Sequence, residues 1–156
     1  MSEIEQRLAS LGYVLPDQAA PVANYVSAVR AQGARLVFLS GHVPRTPDGG
    51  FVTGRLGDDM SVDEGYEVAK QVALALLGTL RAEVGDLDRV TRIVKLLTMV
   101  NCTPDFKDQP AVANGASDLL VEVFGDRGRH ARSAVGVAAL PANCAVEIEM
   151  IAEVAG

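Results

Sequence analysis

Arg132 and Glu147 are a pair of charged residues whose order and spacing could support hydrolysis. Arg132 opens a short run of small residues, Glu147 lies in the alternating run near the end of the chain, and Leu140 and Pro141 turn the chain between them. Two strands joined by a tight turn can pair as a hairpin, so we expect the arginine and the glutamate to lie close together. An arginine fork binds a carboxylate through two hydrogen bonds, and a carboxylate can orient or deprotonate a water. The pair could therefore hydrolyse a bond attached to a small organic acid; the alternative is a structural cross-strand ion pair.

The stretch from Gly49 to Arg55 is only superficially like a phosphate-binding loop. Arg55 stands where that motif needs a lysine, and Leu56 stands where it needs a serine or threonine for magnesium. We therefore predict a hairpin-like turn in this stretch. The sequence also holds no glycine pattern typical of dinucleotide binding and no nucleophile elbow typical of serine hydrolases.

The cysteines and histidines have no spacing typical of a metal site. Cys102 and Cys144 lie far apart, and His42 and His130 form no short metal-binding pattern. Buried free thiols are the favoured interpretation, and a single disulfide is the alternative. We predict no metal site.

Length and charge restrict the classes of function. The 156 residues amount to one domain, with 49% hydrophobic and 22% charged residues. A net charge of −6 argues against a nucleic-acid-binding surface, which needs clustered basic residues. No apolar run approaches the ~20 residues that span a bilayer, and the acidic N-terminus is unlike a signal peptide. We therefore predict a single cytoplasmic domain over residues 1–156, with no nucleic-acid or membrane partner.

The periodicity predicts an α+β fold. Ser2 with Glu5, and Ser61 with Glu64, have the spacing of capping boxes, so each pair is expected to begin a helix. The first of these helices belongs to an N-terminal segment at about residues 1–20. The elements after it follow the order β-β-α-β-α-β-β, with two helices on one face of a mixed sheet. Their expected ranges are 25–29, 36–39, 61–84, 90–100, 111–124, 132–138 and 145–154.

The final strand separates apolar from acidic residues. Val146, Ile148 and Met150 alternate with Glu147 and Glu149, so one face is apolar and the other carries carboxylates. Helices are expected to cover the apolar face, which leaves the carboxylate face to solvent or to another subunit. Small residues on the preceding strand would let a second chain approach closely, so an oligomer is the favoured interpretation.

These C-terminal residues resemble the signature of a known family. The run Ala131-Arg132-Ser133, then Leu140-Pro141, then Val146-Glu147-Ile148-Glu149 is similar to the C-terminal signature of the Rid family, also called the YjgF/YER057c/UK114 family. The resemblance extends to Asn24-Tyr25-Val26, to Phe38-Leu39-Ser40-Gly41-His42-Val43-Pro44 and to Asn114, and it spans about residues 21–154.

The resemblance implies both an assembly and a site. The implied fold is chorismate-mutase-like and forms a homotrimer, with the sheets in a central barrel, the helices outside and the sites in clefts between subunits. Arg132 would bind the substrate carboxylate, and Glu147 would position or activate the attacking water. The other residues implied to form the pocket are Tyr25, Ser40, Gly41, Asn114 and Ala134, of which Gly41 and Ala134 would contribute backbone hydrogen bonds.

The implied reaction is hydrolysis of small carboxylate-bearing enamines or imines, such as 2-aminoacrylate, to 2-keto acids and ammonia, without a metal or organic cofactor. One alternative is a non-catalytic protein that binds small metabolites in the same pocket between subunits. The other is an endoribonuclease or translation inhibitor, which the negative charge disfavours.

Four departures from the family pattern are visible. His130 stands where the family usually has a proline, and Ala134 stands where it often has a cysteine. The segment at about residues 1–20 is extra, and one more residue than expected separates Asn114 from Arg132. These departures resemble a longer, divergent subgroup that is often labelled endoribonuclease L-PSP-like, so the substrate is expected to differ even where the pocket persists.

Overall fold

A computed structural model describes residues 2–17, 21 and 23–156 of the chain. The predicted order of strands and helices is confirmed, and a helix precedes the first strand. The elements are α1 (Glu3–Ser10), β1 (Ala28–Arg30), β2 (Leu36–His42), α2 (Val62–Val84), β3 (Val90–Asn101), α3 (Gln109–Phe124), β4 (Ala131–Val137) and β5 (Val146–Val154).

The five strands form one mixed sheet in the order β1-β2-β5-β3-β4. β3 pairs with β4 in parallel, and the other pairings are antiparallel. The hairpin predicted between the last two strands is therefore wrong, because β3 lies between them. The reason is that α3 carries the chain from β3 back to a parallel neighbour, as a crossover helix does. The chain then passes through a short 3-10 turn at Pro141–Asn143 and crosses to the far side of β3.

Local signals set the helix boundaries. Ser61 and Glu64 form the predicted capping box at the start of α2, and Ser2 and Glu5 form the one at the start of α1. Gly85 ends α2 with a positive φ of 81°. Each box satisfies backbone N–H groups that a helix start would otherwise leave without acceptors.

The hydrophobic core lies between the sheet and the helices α2 and α3. The apolar face of β5 is buried as predicted, and Cys102 and Cys144 are buried free thiols. The opposite face of the sheet is not covered by a helix. It carries Glu147, Glu149 and Glu153 of β5, together with apolar side chains that stay exposed: Val29 at 54%, Phe38 at 44% and Val135 at 42%.

The N-terminal segment is fixed against the helices. The Asp88 carboxylate accepts hydrogen bonds of 2.8 Å from the backbone N–H groups of Glu3 and Ile4. Beyond α1, the backbone of Pro16 crosses α2 at Gly78, where an added Cβ would lie 2.7 Å from the Pro16 carbonyl oxygen. A glycine is needed at this point of α2 because only a residue without a side chain leaves room for the crossing backbone.

The first strand differs from its predicted range. β1 begins at Ala28, so Tyr25 lies before the strand and is 53% exposed. The Tyr25 N–H donates to the Ala23 carbonyl at 2.9 Å, so a tight turn precedes the strand, and the segment contacts β2 through the Ser40 N–H, which donates to the Ser27 carbonyl at 3.0 Å.

A hairpin-like turn occurs at residues 46–50, between the antiparallel bridge partners Arg45 and Phe51, so only the beginning of the stretch from Gly49 to Arg55 lies in it. The rest of the predicted stretch is extended, because Thr53 forms a bridge with Cys144.

Candidate functional site

The sheet places Arg132 and Glu147 on opposite faces. Arg132 lies in register with Leu96 and Met150, whose side chains are buried beneath the helices. Glu147 lies in register with Met99, on the face without helices. Two strand spacings and three residues separate them, which corresponds to about 14 Å between their Cα atoms. The two residues therefore do not form a cross-strand pair within one chain, contrary to the sequence prediction.

The first half of the candidate site is the arginine cluster, which we define as Arg132, Asn114, Ser117 and His130. Arg132 Nη1 donates to Asn114 Oδ1 at 2.9 Å and to Ser117 Oγ at 3.0 Å. Its Nη2 donates to the Pro110 carbonyl oxygen at 3.3 Å. α3 supplies all three acceptors, so the helix fixes the direction of the guanidinium. Asn114, implied by the family resemblance, does reach Arg132.

The arginine keeps donors for a ligand. A guanidinium has five N–H groups, and the three hydrogen bonds above use both on Nη1 and one on Nη2. Within the described part of the chain, Nε–H and the second Nη2–H have no acceptor. These two donors are spaced to bind a carboxylate through parallel hydrogen bonds.

His130 and Ser117 extend this cluster. The Gly128 carbonyl lies 2.6 Å from His130 Nδ1, so Nδ1 carries the proton and Nε2 accepts from Ser117 Oγ at 3.0 Å. Burial lowers the pKa of His130, and the charge of Arg132 lowers it further, whereas the hydrogen bond to Gly128 opposes the shift. The imidazole is thus neutral at pH 7, and the Ser117 oxygen is left to accept from Arg132.

The second half is the glutamate site, which we define as Glu147, Ser40 and Gly41. A β-bulge falls between Leu39 and His42, where β2 pairs with β5, and it contains Ser40 and Gly41. The Glu147 carboxylate lies directly against Gly41, so closely that an added Cβ would overlap with Oε1. The bulge and the glycine together make the space that the carboxylate occupies.

Glu147 has the electrostatic properties of a base. Among residues 2–17, 21 and 23–156, no N–H or O–H group donates to its carboxylate and no cation pairs with it. Burial raises its pKa, and the neighbouring Glu149 raises it further. A carboxylate that is half-buried and unpaired is suited to accept a proton from a water.

A cavity of about 370 Å³ lies beside the glutamate site. Tyr25, Ser40 and Gly41 line it, as do side chains of α2 and of the N-terminal segment. Ser40 donates from Oγ to the Val26 carbonyl at 2.6 Å, which ties the bulge to the segment that carries Tyr25. Ala134 lies elsewhere, two residues from Arg132 on the same face of β4.

The residues implied by the resemblance thus fall into two groups that lie apart in the sheet. Arg132, Asn114 and Ala134 lie at the β4 edge, and Glu147, Tyr25, Ser40 and Gly41 lie towards the β1 edge. Ser117 is absent from the sequence prediction, because a half-buried serine within a helix gives no signal until His130 is known to lie beside it. His130 itself enters the sequence prediction only as a histidine without a metal-binding pattern and as a departure from the family pattern.

The described residues include no group of three or more histidine, cysteine, aspartate or glutamate side chains that could hold a metal ion. Within the same part of the chain, no helix is both long enough and apolar enough to cross a membrane.

Comparison with known proteins identifies the family. Residues 5–154 match the family model described as "YjgF/chorismate mutase-like, putative endoribonuclease". The chain belongs to this family. Protein TCP17 of Trypanosoma cruzi is 48% identical over 151 residues, which cover 96% of this chain and 93% of TCP17. The resemblance drawn from the C-terminal signature is therefore confirmed.

Two solved structures share the fold of this chain over nearly its whole length. The protein Atu1372 of Agrobacterium tumefaciens is 40% identical and superposes with a TM-score of 0.89, covering 97% of this chain and 92% of that one. A Shewanella oneidensis protein solved as a "putative endoribonuclease" is 31% identical, with a TM-score of 0.92 over 98% of this chain and all of the other. The mixed α+β fold with its five-stranded sheet is the chorismate-mutase-like fold of the YjgF family.

Proposed function

We propose that this protein is a homotrimeric hydrolase of small carboxylate-bearing enamines and imines, converting them to 2-keto acids and ammonia in the cytoplasm. The observation that carries the proposal is the separation of two complementary half-sites. The arginine cluster offers a free fork for a carboxylate, and the glutamate site offers an unpaired, half-buried base.

A ring of identical chains would bring the two half-sites together. The arginine cluster lies at one edge of the sheet and the glutamate site lies towards the other. Contact between unlike edges of successive copies is head-to-tail, and such contacts close into a ring when the rotation permits. In a three-membered ring each cleft would hold Arg132 of one copy and Glu147 of the next.

The uncovered sheet face supports an assembly of this kind. Phe38 and Val135 are 44% and 42% exposed on a face that no helix covers. Ile151 lies between the glutamates of β5 on the same face. Enclosing these side chains in a barrel would remove apolar surface from water. Each Å² of apolar surface buried would stabilise the assembly by roughly 25 cal/mol.

The chemistry follows from the two half-sites. The fork of Arg132 would hold the substrate carboxylate and so fix the neighbouring C=N carbon. Glu147 would accept a proton from a water while the water oxygen bonds to that carbon and the C=N electron pair moves to nitrogen, and Glu147 would then return this proton to the nitrogen. The hydroxyl proton of the resulting carbinolamine would pass to the nitrogen by way of the same carboxylate, so that ammonia leaves as the C=O bond forms and Glu147 is again ionised. An enamine substrate would first be protonated on carbon to give the imine.

The test uses imines generated in solution by an amino-acid oxidase, with 2-keto acid release as the readout. We expect faster release with the wild-type protein, and a loss of roughly 100-fold or more in the Glu147→Gln variant, since a general base contributes about 10²–10⁴. Arg7→Ala, which changes a surface arginine bonded to the Glu122 carbonyl, is the matched control. Wild-type activity in Glu147→Gln would exclude the proposed mechanism.

One alternative, metabolite binding without turnover, is favoured by the fork of Arg132, which can bind a carboxylate with no base nearby. It would be established by pyruvate raising the melting temperature of the wild type but not of Arg132→Ala, with no imine hydrolysed.

A further inference from the structure

His130 is a half-buried histidine that the proposed reaction does not use. It immediately precedes β4, two residues before Arg132, and it reaches the guanidinium through the Ser117 hydroxyl of α3. Ser117 contacts Nη1, whereas the two free donors of the guanidinium are on Nε and Nη2. The imidazole is therefore placed to act on Arg132 without touching the substrate.

The hydrogen bonds of His130 have fixed directions. The Gly128 carbonyl can only accept, so His130 Nδ1 carries the proton, and Nε2 is left to accept the Ser117 hydroxyl proton. Ser117 has a single proton, and once this is given to His130, the oxygen lone pairs are free to accept from Arg132 Nη1 at 3.0 Å. The donors thus run in one direction along the cluster, from the guanidinium to the carbonyl, and the bonds of such a chain strengthen one another.

Without the imidazole, the Ser117 hydroxyl would have a different acceptor. A serine inside a helix can donate to the carbonyl four residues earlier, which here belongs to Ala113 of α3. Rotation of the hydroxyl towards that carbonyl would change the direction of the lone pairs that accept from Arg132. His130 offers the competing acceptor, so it selects the hydroxyl direction in which a lone pair faces Nη1.

This arrangement requires a neutral imidazole, because a protonated Nε2 could not accept from Ser117. Burial lowers the pKa of His130, and so does the charge of Arg132, while the hydrogen bond to Gly128 opposes them. The other charged side chains of α3, of β3 and of the segment between α3 and β4 have partners of their own: Asp118 with Tyr66, Glu122 with Tyr13, Asp126 with Arg129, Arg92 with the Arg129 carbonyl, Arg127 with the Val90 carbonyl, and Lys95 with Ser133. Within the described part of the chain no carboxylate pairs with His130, so nothing stabilises its protonated form at pH 7.

We propose that His130 is a positioning residue for carboxylate binding: it orders the Ser117 hydroxyl, and through that hydroxyl it fixes the Arg132 guanidinium with Nε–H and one Nη2–H free for the ligand. This inference rests on the proposed function for the identity of the substrate, but carboxylate binding alone can test it.

Three substitutions separate the roles of the two nitrogen atoms of His130. Gln places an amide oxygen near the position of Nε2, where it can accept from Ser117, whereas Asn places an amide N–H near Nδ1, where it can donate only to Gly128. We expect His130→Leu and His130→Asn to raise KM for the imine by about three- to tenfold with little change in kcat, because both leave Arg132 less well oriented. His130→Gln should stay within about twofold of the wild-type KM. Rescue by Asn in place of Gln, or a wild-type KM in His130→Leu, would overturn the inference.

The dependence on Ser117 gives a second measurement, which compares proteins of matched background. In Ser117→Ala, which has lost the hydroxyl, adding His130→Leu should raise KM by less than about twofold. In Ser133→Ala, whose serine lies on the opposite face of β4 and contacts Lys95, adding it should keep the full effect of about three- to tenfold. Equal effects in the two backgrounds would mean that His130 does not act through Ser117, and the inference would fail.

Pyruvate is the probe for binding without turnover. Calorimetry should give a Kd for pyruvate about three- to tenfold higher in His130→Leu than in the wild type, restored in His130→Gln, and no effect of His130→Leu in the Arg132→Ala background. That pattern without imine hydrolysis by the wild type would overturn the proposed function and leave this inference intact. Hydrolysis by the wild type, with the same pyruvate affinity in His130→Leu, would overturn the inference and leave the proposed function intact.

Discussion

The arginine cluster and the glutamate site are built in opposite ways. Around Arg132, side chains and a carbonyl of α3 accept hydrogen bonds and fix the guanidinium. Around Glu147, the described residues donate no hydrogen bond to the carboxylate, and a bulged backbone with a glycine makes its space. A binding group gains from a fixed direction, whereas a base gains from the absence of partners that would hold its pKa low.

In the proposed mechanism neither half-site is sufficient by itself. Arg132 can bind a carboxylate, but Glu147, the proposed base, lies about 14 Å away in the same chain. Glu147 can take a proton, but among the described residues no cation pairs with its carboxylate. The proposal therefore requires a second copy of the chain at each half-site, and this requirement can be tested directly.

The largest expected effect is recovery of activity on mixing two inactive variants. Arg132→Ala and Glu147→Gln should each lose roughly 100-fold or more in kcat/KM. When the two are unfolded together and refolded as an equal mixture, about a quarter of the clefts should contain an intact arginine and an intact glutamate, because head-to-tail contacts draw the two from different copies. Steady-state 2-keto acid release should return to about a quarter of the wild-type rate.

The control for this experiment is each variant refolded alone, and sedimentation should show a trimer in every sample. Activity of the mixture no higher than that of the separate variants would mean that the two residues act within one chain, or that they do not act together.

Gly41→Ala should lower kcat/KM by about 10- to 100-fold, because the new Cβ would displace the Glu147 carboxylate. The effect should depend on Glu147. In the Glu147→Gln background, which has already lost the base, the added methyl should cost little more activity, and the double-mutant cycle should be strongly non-additive. If the losses in kcat/KM from Gly41→Ala and Glu147→Gln were additive, the added methyl group would act on the bulge without acting through Glu147.

Ser117→Ala should raise KM for the imine by about three- to tenfold and change kcat by less, since it removes one of the three acceptors that orient Arg132. Ser133→Ala, next to Arg132 on the opposite face of β4, is the matched control. If Ser117→Ala and Ser133→Ala changed kcat and KM to the same extent, Ser117 would act only through the stability of the helix.

The smallest expected effect is a shift in pH dependence. The pKa of Glu147 is raised first by burial and then by Glu149. Glu149→Gln removes the second cause, so the acidic limb of the kcat/KM profile should move to lower pH, by about one unit or less. A limb that stays in place would mean that a different group limits the rate at low pH.

The same shift has a consequence for stability. The folded chain binds the Glu147 proton more tightly than the unfolded chain does, because its pKa is raised in the folded state. The contribution of this proton to stability is therefore complete at a pH below 4.5, the ordinary value for a glutamate, and is lost as the pH rises through the higher folded value. Glu147→Gln should accordingly raise the melting temperature at pH 7 and not at pH 4, and an unchanged melting temperature at pH 7 would contradict the raised pKa.

Local features of the fold could be predicted from the sequence, but the pairing of strands that lie far apart in the chain could not. The capping box at Ser61 and the alternation in β5 depend on neighbours in the chain, and both are confirmed. The partner of β4 depends on how α3 packs, so the turn at Pro141 suggested a hairpin that does not form. Ser117 could not be predicted for the same reason, because its role exists only once α3 lies beside Arg132 and His130.

The position of β5 has a consequence for how the protein is made. This strand is encoded last, yet it lies in the middle of the sheet, between β2 and β3. The sheet therefore cannot be completed until β5, the last of its five strands, has left the ribosome, and pairing at such long sequence separation is slow. Until then β2 and β3 have no shared neighbour, and their apolar side chains remain accessible to other nascent chains. The residue proposed as the base is thus synthesised with the strand that completes the sheet, so a chain that lacks β5 would lack both the link between β2 and β3 and the proposed base.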